Sequence, residues 1–229
     1  MLCRVAETHF DEWIAQRYET LWPELLDPAA LDPAVDFLSD LAGAGPALEL
    51  GIGTGRVALP LSRRGIRLHG IELSPAMVAQ LQTQHGASDI SVTIGDFATA
   101  EAGATFTLAY LLRNTITNLT TQDEQVKCFR NVATHLEPGG WFVIENYIPE
   151  LQRLPPGVTR HVFTATSAHV GFEEYDFATQ IAVSHHFWGA RWQTRSSFLA
   201  PSLRLAFGAR PDGTTSRDDI ARALEQLAP

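Results

Sequence analysis

The chain has 229 residues, a length that suits one α/β domain with an appended lobe. Hydrophobic residues make up 45% of the chain and charged residues 19%, a composition that excludes a disordered or fibrous protein. The longest apolar runs, at 108–112 and 141–144, are strand-sized, whereas a bilayer crossing needs roughly 18 apolar residues. Because Glu7, Asp11 and Glu12 stand where a signal peptide would be apolar, we expect a soluble, cytoplasmic protein with no membrane partner.

The net charge is −9, from 17 basic and 26 acidic residues. A surface of that sign repels phosphate backbones, and the largest basic cluster consists of Arg63, Arg64 and Arg67, so we expect no nucleic-acid partner. The two cysteines, Cys3 and Cys128, are too few and too far apart to predict a disulfide framework or a zinc site. We therefore expect no bound metal.

Helix and strand patterns alternate through the first 149 residues. Asp32 and Pro33 have the N-cap and first-turn positions of a helix, and Thr121 with Glu124 has the spacing of a capping box. The predicted helices cover residues 7–21, 32–42, 56–64, 74–84 and 121–135, and the predicted strands cover 47–50, 67–71, 90–94, 106–112 and 141–146.

This alternation predicts an α/β fold with a doubly wound, mostly parallel sheet. After Pro149 the pattern changes to two-residue periodicity in segments 158–166 and 179–187, which predicts an antiparallel C-terminal extension. Ligands of parallel sheets bind at the carboxyl ends of the strands, so candidate site residues are sought there.

A glycine-rich loop, ELGIGTG at residues 49–55, directly follows the first predicted strand and precedes a helix. Glycines at such a turn let a ligand lie against bare main chain. A dinucleotide fingerprint would have its third glycine at Arg56, and the Gly-Lys-Ser/Thr of a phosphate-binding loop is absent. The Glu49 carboxylate suits an ammonium group better than a pyrophosphate. A plain turn without a ligand is the alternative.

Two further strand ends carry carboxylates. Glu72 ends the second strand, 21 residues after Gly51, where a carboxylate can accept hydrogen bonds from both ribose hydroxyls; a surface glutamate is the alternative. The third strand ends in Gly95-Asp96-Phe97, which suits the exocyclic amine and ring of an adenine but is also a common turn. Features of this kind at three successive strand ends predict a nucleoside site.

Residues 17–150 resemble the class I S-adenosylmethionine-dependent methyltransferases, over somewhat more than half of the chain. The motifs that carry the resemblance are ELGIGTG at 49–55, GIELSPAM at 70–77, GDF at 95–97, LRNT at 112–115 and LEPGG at 136–140. The resemblance implies a Rossmann-like core that binds S-adenosylmethionine as its cofactor.

The resemblance also implies roles for individual residues. Glu49 would lie near the methionyl ammonium, Gly51 and Gly53 along the methionyl group, and Glu72 on the ribose hydroxyls. The other implied contacts are Leu73 and Met77 beside the adenine, Asp96 and Phe97 at its edge, Leu112 and Arg113 on the sulfonium side, and Tyr18 over the cofactor carboxylate.

The implied function is methyl transfer to a small-molecule acceptor through an oxygen, nitrogen or carbon nucleophile. The alternatives are a non-catalytic S-adenosylmethionine-binding protein and an NAD-type oxidoreductase, the latter disfavoured by Glu49 and Arg56. The sequence singles out no general base, because His185 and His186 are adjacent on one strand and Tyr147 merely follows another. It predicts neither the acceptor nor the oligomeric state.

Four segments are predicted along the chain: an N-terminal helical cap (1–44), a cofactor-binding core (45–150), a substrate-facing antiparallel segment (151–188) and a divergent tail (189–229). The tail holds six basic and four acidic residues, whereas acidic residues outnumber basic ones in the rest of the chain. It contains one good strand candidate, at 203–207, and a short helix candidate at 216–227. We expect this tail to replace the closing hairpin that the fold of the class I methyltransferases normally has.

Overall fold

The computed structural model describes residues 9–147 and 151–198. Its first layer is a five-stranded parallel sheet with the spatial order β3-β2-β1-β4-β5. The strands are β1 (Ala47–Leu50), β2 (Leu68–Glu72), β3 (Ile90–Ile94), β4 (Phe106–Leu111) and β5 (Leu136–Ile144). The helices are α1 (Glu12–Ala15), α2 (Tyr18–Leu21), α3 (Pro28–Ala42), α4 (Ala58–Arg63), α5 (Pro75–Gln82) and α6 (Gln122–His135).

The parallel sheet is buried on both faces. One face packs against α3, α4 and α5 through side chains such as Val35, Leu61 and Leu81. The other packs against α6 through Cys128, Phe129 and Val132. Helices on both faces of a parallel sheet make the fold doubly wound, as predicted, and explain why every residue of β1 is buried.

A second sheet follows, antiparallel and four-stranded in the order β6-β7-β8-β9. Its strands are β6 (Arg160–Ala165), β7 (Val170–Asp176), β8 (Ile181–Trp188) and β9 (Arg191–Phe198). The predicted antiparallel extension is confirmed. β7 was not predicted, and β9 lies within the segment that we expected to be a divergent tail.

The predicted boundary at residue 189 falls in the turn between two strands that pair along their whole lengths, from Trp188↔Arg191 to Ile181↔Phe198. The sequence of β9 does not alternate between apolar and polar residues, so its strand character is set by pairing with β8. The strand and helix candidates at 203–207 and 216–227 lie outside the described residues.

The N-terminal elements also differ from prediction. The expected helix at 7–21 consists of the short helices α1 and α2, because the backbone at Arg17 leaves the helical region. α3 begins at Pro28, earlier than expected, because Asp27 caps it by accepting a hydrogen bond from the Ala29 N–H (3.0 Å). Among the described residues, no helix has both the length and the apolarity needed to span a bilayer.

Candidate functional site

A cavity of about 360 Å³ opens at the carboxyl ends of β1, β2 and β3. Parallel sheets bind ligands at this edge. Eight of the predicted site residues line the cavity, and they come from the glycine loop, the ends of β2 and β3, α2 and α5: Tyr18, Gly51, Gly53, Glu72, Leu73, Met77, Asp96 and Phe97.

The glycine loop presents bare backbone to this cavity. Gly51 and Gly53 have φ angles of +73° and +58°, a region that favours glycine. A Cβ atom added to Gly51 would lie 2.8 Å from the Thr115 side chain. Gly51 therefore cannot be replaced without a clash, and the loop lines the cavity with main chain at Gly51 and Gly53.

Glu72 holds this loop in place. Its carboxylate accepts one hydrogen bond from the Gly53 N–H (2.9 Å) and one from the Ser74 N–H (2.9 Å). Burial raises the pKa of Glu72, and these backbone donors oppose the rise. A buried carboxylate at the wall of a nucleoside-sized cavity has the chemistry to accept ribose hydroxyls.

The end of β3 supplies the opposite wall. Asp96 accepts a hydrogen bond from the Ala98 N–H (2.8 Å), which fixes the turn, and the Phe97 ring is buried beside it. Leu119 and Thr120, between β4 and α6, and Glu124, in the first turn of α6, also line the cavity.

Two segments distant in sequence complete the cavity: His9, Phe10 and Tyr18 from the N-terminus, and Ser196 from β9. The Ser74 hydroxyl donates a hydrogen bond to the Phe10 carbonyl (2.5 Å), which ties the N-terminal segment to α5. Tyr18 packs against Trp22 with ring centroids 5.1 Å apart. Burial raises the pKa of the Tyr18 hydroxyl. The cavity thus has walls from both sheets.

β9 is joined directly to the N-terminal segment. Arg191 forms an ion pair with Asp11, and the Gln193 side-chain amide donates a hydrogen bond to the His9 carbonyl. Trp188, at the end of β8, packs against Trp13 and Trp22 with ring centroids 5.9 and 5.7 Å apart. These contacts hold Phe10 and Tyr18 over the cavity.

The structure does not bring the other three predicted residues to this cavity. Glu49 is buried behind the loop, where it accepts a hydrogen bond from the Tyr110 hydroxyl (2.9 Å), and burial raises its pKa to about 8. Leu112 and Arg113 line a second cavity of about 280 Å³, together with Arg56. Whether these three residues contact a ligand stays a prediction.

Several lining residues were not predicted. Thr115 and Asn118 lie in a 3-10 turn just after β4, a strand end where they could have been sought. Glu124 was identified only as the helix-capping residue of α6. His9, Phe10 and Ser196 carry no local sequence signal, because long-range packing alone brings them to the cavity.

A family model described as "Methyltransferase domain" matches residues 47–140. The cypemycin N-terminal methyltransferase of a Streptomyces species is 29% identical over 131 residues. That match covers 57% of this chain and 53% of the relative, so the chain spans about half the length of this curated relative.

Solved structures extend the similarity beyond the parallel sheet. The CcbJ methyltransferase of Streptomyces caelestis is 30% identical, with a TM-score of 0.68 over 83% of this chain and 76% of its own. S-adenosylmethionine-bound CalS10, an amino pentose methyltransferase from Micromonospora echinaspora, shares the fold at 19% identity, with a TM-score of 0.60 over 90% of this chain and 85% of its own. With its nucleoside-sized cavity at the carboxyl edge of the sheet, the chain belongs to the class I S-adenosylmethionine-dependent methyltransferases.

Proposed function

We propose that this protein transfers the methyl group of S-adenosylmethionine to an amine nitrogen of a small molecule. The observation that carries the proposal is one cavity in which the bare glycine loop, the buried Glu72 carboxylate and the Asp96-Phe97 pair meet. The name of the cypemycin N-terminal methyltransferase supports an amine as acceptor. The net charge of −9 supports a small molecule rather than a nucleic acid.

The residues of the cavity fit the cofactor part by part. Glu72 would accept the ribose hydroxyls, Asp96 the adenine amine, and Phe97, Leu73 and Met77 would contact the base. The backbone of Gly51 and Gly53, which lines the cavity without side chains, would lie against the methionyl group. When bound, S-adenosylmethionine supplies a methyl group already activated by its sulfonium, so the protein mainly has to align the acceptor and exclude water.

Positive charge near Tyr18, which lines the cavity, would assist an amine acceptor. Tyr18 lies within electrostatic range of Arg56, Arg113 and Arg195, which together oppose the burial effect on its pKa. The same charges disfavour an ammonium ion in their neighbourhood and so lower the pKa of a bound amine. A neutral amine is the form that can attack the methyl group.

The proposal is tested by calorimetry, which compares the affinity of the wild type and of Glu72→Ala for S-adenosylhomocysteine, the demethylated product. This substitution removes an acceptor for the ribose hydroxyls and the anchor of the glycine loop. We expect a loss of about 1.5–3 kcal/mol, or roughly tenfold or more in affinity. Glu101→Ala, at an exposed position, is the matched control and should bind as the wild type does.

Binding of NAD in preference to S-adenosylhomocysteine would contradict the proposal. Transfer of a labelled methyl group from S-adenosylmethionine to amines of a cell extract then tests catalysis. Tight binding of the cofactor with no transfer to any fraction would instead support a non-catalytic binding protein.

A further inference from the structure

Arg195 has no carboxylate partner among the described residues, and it lies next to residues that line the cavity. It lies on β9, next to Ser196 of the cavity wall, and its guanidinium carbon is 6.0 Å from the centre of the Phe10 ring. Its Nε is enclosed by protein and has no hydrogen-bond partner within residues 9–147 and 151–198. Burial lowers the pKa of this guanidinium, although an arginine stays charged at neutral pH.

Other arginines of the same sheet are paired. Arg191 forms an ion pair with Asp11, and Arg160 forms one with Glu174 (2.5 Å). Within residues 9–147 and 151–198, no carboxylate lies within 4 Å of the Arg195 nitrogens. Glu173 is within electrostatic range, but its carboxylate already accepts hydrogen bonds from the Tyr175 hydroxyl (2.5 Å) and the Ser184 hydroxyl (3.2 Å).

A second cation further disfavours the positive charge of Arg195. Arg113, at the end of β4, lies close enough to Arg195 to lower its pKa, and both act on Tyr18. In the described part of the chain, Arg113 also has no salt-bridge partner. Arg113 is exposed, whereas the Nε of Arg195 is enclosed. Buried charges in proteins are normally paired, so the enclosed Arg195 guanidinium, with a second cation nearby, indicates an anionic ligand group.

The charge of the cofactor does not satisfy both arginines. S-adenosylmethionine carries one carboxylate, but also an ammonium and a sulfonium, so it adds net positive charge to the site. The acceptor is then the source of a second anion. Arginine binds carboxylates through paired, charge-assisted hydrogen bonds, which suits a planar carboxylate.

We propose that Arg195, assisted by Arg113, binds a carboxylate group of the acceptor. This inference rests on the proposed function and narrows its substrate class to amines that also carry a carboxylate. The geometry that supports it is the position of Arg195: on β9, against the Phe10 ring that lines the cavity, with no partner for its Nε in the described part of the chain.

The test uses acetate as the probe, with acetamide as its neutral counterpart at equal ionic strength. Saturation-transfer NMR measures binding of each to the full-length protein saturated with S-adenosylhomocysteine. We expect acetate to bind this complex, acetamide not to bind, and Arg195→Gln to weaken acetate binding about tenfold or more. Arg195→Lys keeps the charge and should retain part of the binding.

Arg160→Gln is the matched control, because it removes a paired guanidinium on the exposed strand β6, and it should bind acetate as the wild type does. Folding of each variant is checked by circular dichroism and by its affinity for S-adenosylhomocysteine. A separate experiment uses the wild type alone: S-adenosylhomocysteine is added to the protein with acetate present, to test whether the two ligands compete.

Three results would overturn the proposal. Acetate binding that Arg195→Gln leaves unchanged would remove Arg195 from the site, and so would an absence of acetate binding. Acetate displaced by S-adenosylhomocysteine would assign the guanidinium to the carboxylate of the cofactor, and the proposed function would stand. Failure of the wild type to bind S-adenosylhomocysteine would instead contradict the proposed function itself.

Discussion

The two sheets of this protein are stabilised in different ways. The parallel sheet lies between two apolar clusters, and side chains such as Leu48, Ile71 and Leu108 are fully buried in it. In the antiparallel sheet, the buried apolar residues within the described chain are Tyr175 and Ala182. The antiparallel sheet therefore depends on cross-strand side-chain pairs and on its contacts with the N-terminal segment.

This difference matters for the site, because the cavity takes one wall from each region. The parallel sheet provides a rigid floor, whereas the N-terminal segment and β9 provide a cover with less buried apolar surface. Regions with few buried contacts open at lower free energy than a well-packed core. The cover is thus the part of the site suited to open for exchange of cofactor and acceptor.

The largest expected effect comes from adding one methyl group to each sheet. In Gly70→Ala the new Cβ would lie 2.5 Å from the buried Ile52 side chain and 2.8 Å from its Cβ atom, which a change of rotamer does not move. In Gly171→Ala it would lie 2.4 Å from the Phe163 ring, which is 42% exposed and can turn away, and 2.9 Å from the Thr164 methyl group. We expect about 3 kcal/mol of destabilisation for Gly70→Ala and about 1 kcal/mol or less for Gly171→Ala.

Urea denaturation of both variants, followed by far-UV circular dichroism, measures these two losses. Equal losses would mean that the antiparallel sheet is packed as tightly as the parallel one. The comparison drawn above would then be wrong.

The same contrast decides what the sequence could predict. β1 and β3 match their predicted bounds because each is a short run rich in strand-forming residues that is bounded by turn residues. The capping box of α6 forms as predicted, with Thr121 accepting from the Glu124 N–H (3.2 Å). The site residues at these strand ends follow from the chain order of the strands and from the resemblance.

Positions fixed by distant contacts could not be predicted in this way. β9 begins Arg-Trp-Gln-Thr-Arg, a sequence with no apolar alternation, and its contacts with Asp11 and His9 join residues about 180 positions apart. Ser196 reaches the cavity only because β9 pairs with β8 and packs against the N-terminal segment. No local pattern encodes such an arrangement.

A second prediction compares two glutamates. Burial raises the pKa of Glu49 to about 8, whereas Arg160, and to a lesser extent His185, lower the pKa of the exposed Glu174. Glu49 therefore contributes stability in full below its unfolded pKa, near 4.5, and loses that contribution as pH rises through 8. Glu174 does the reverse: its contribution is present above the unfolded pKa and is lost as pH falls through the lowered folded pKa.

We expect Glu49→Gln to be more stable than the ligand-free wild type at pH 8, by on the order of 2 kcal/mol. This advantage should shrink toward pH 4.5, because glutamine stays neutral and can still accept the Tyr110 hydrogen bond. Glu174→Gln should be slightly less stable than the wild type at neutral pH and equal to it in acid. Thermal unfolding from pH 4.5 to 8 measures both trends, and parallel pH profiles for the two variants would contradict the assigned environments.

The smallest expected effect concerns the two tryptophans near the turn between β8 and β9. Trp188 packs against Trp13 and Trp22 on the face toward the N-terminal segment, whereas Trp192 is 60% exposed on the opposite face. An aromatic pair contributes about 0.5–1.5 kcal/mol beyond its buried area. Trp188→Ala should therefore loosen the segment that holds Phe10 and Tyr18 over the cavity and weaken S-adenosylhomocysteine binding roughly three- to tenfold. Trp192→Ala should change that affinity by less than about twofold.

Calorimetry of the two variants, with limited proteolysis near residues 9–22, distinguishes a loosened cover from a general loss of folding. If both substitutions weakened binding equally, the antiparallel sheet would act on the cofactor site through its overall stability rather than through the Trp13, Trp22 and Trp188 contacts.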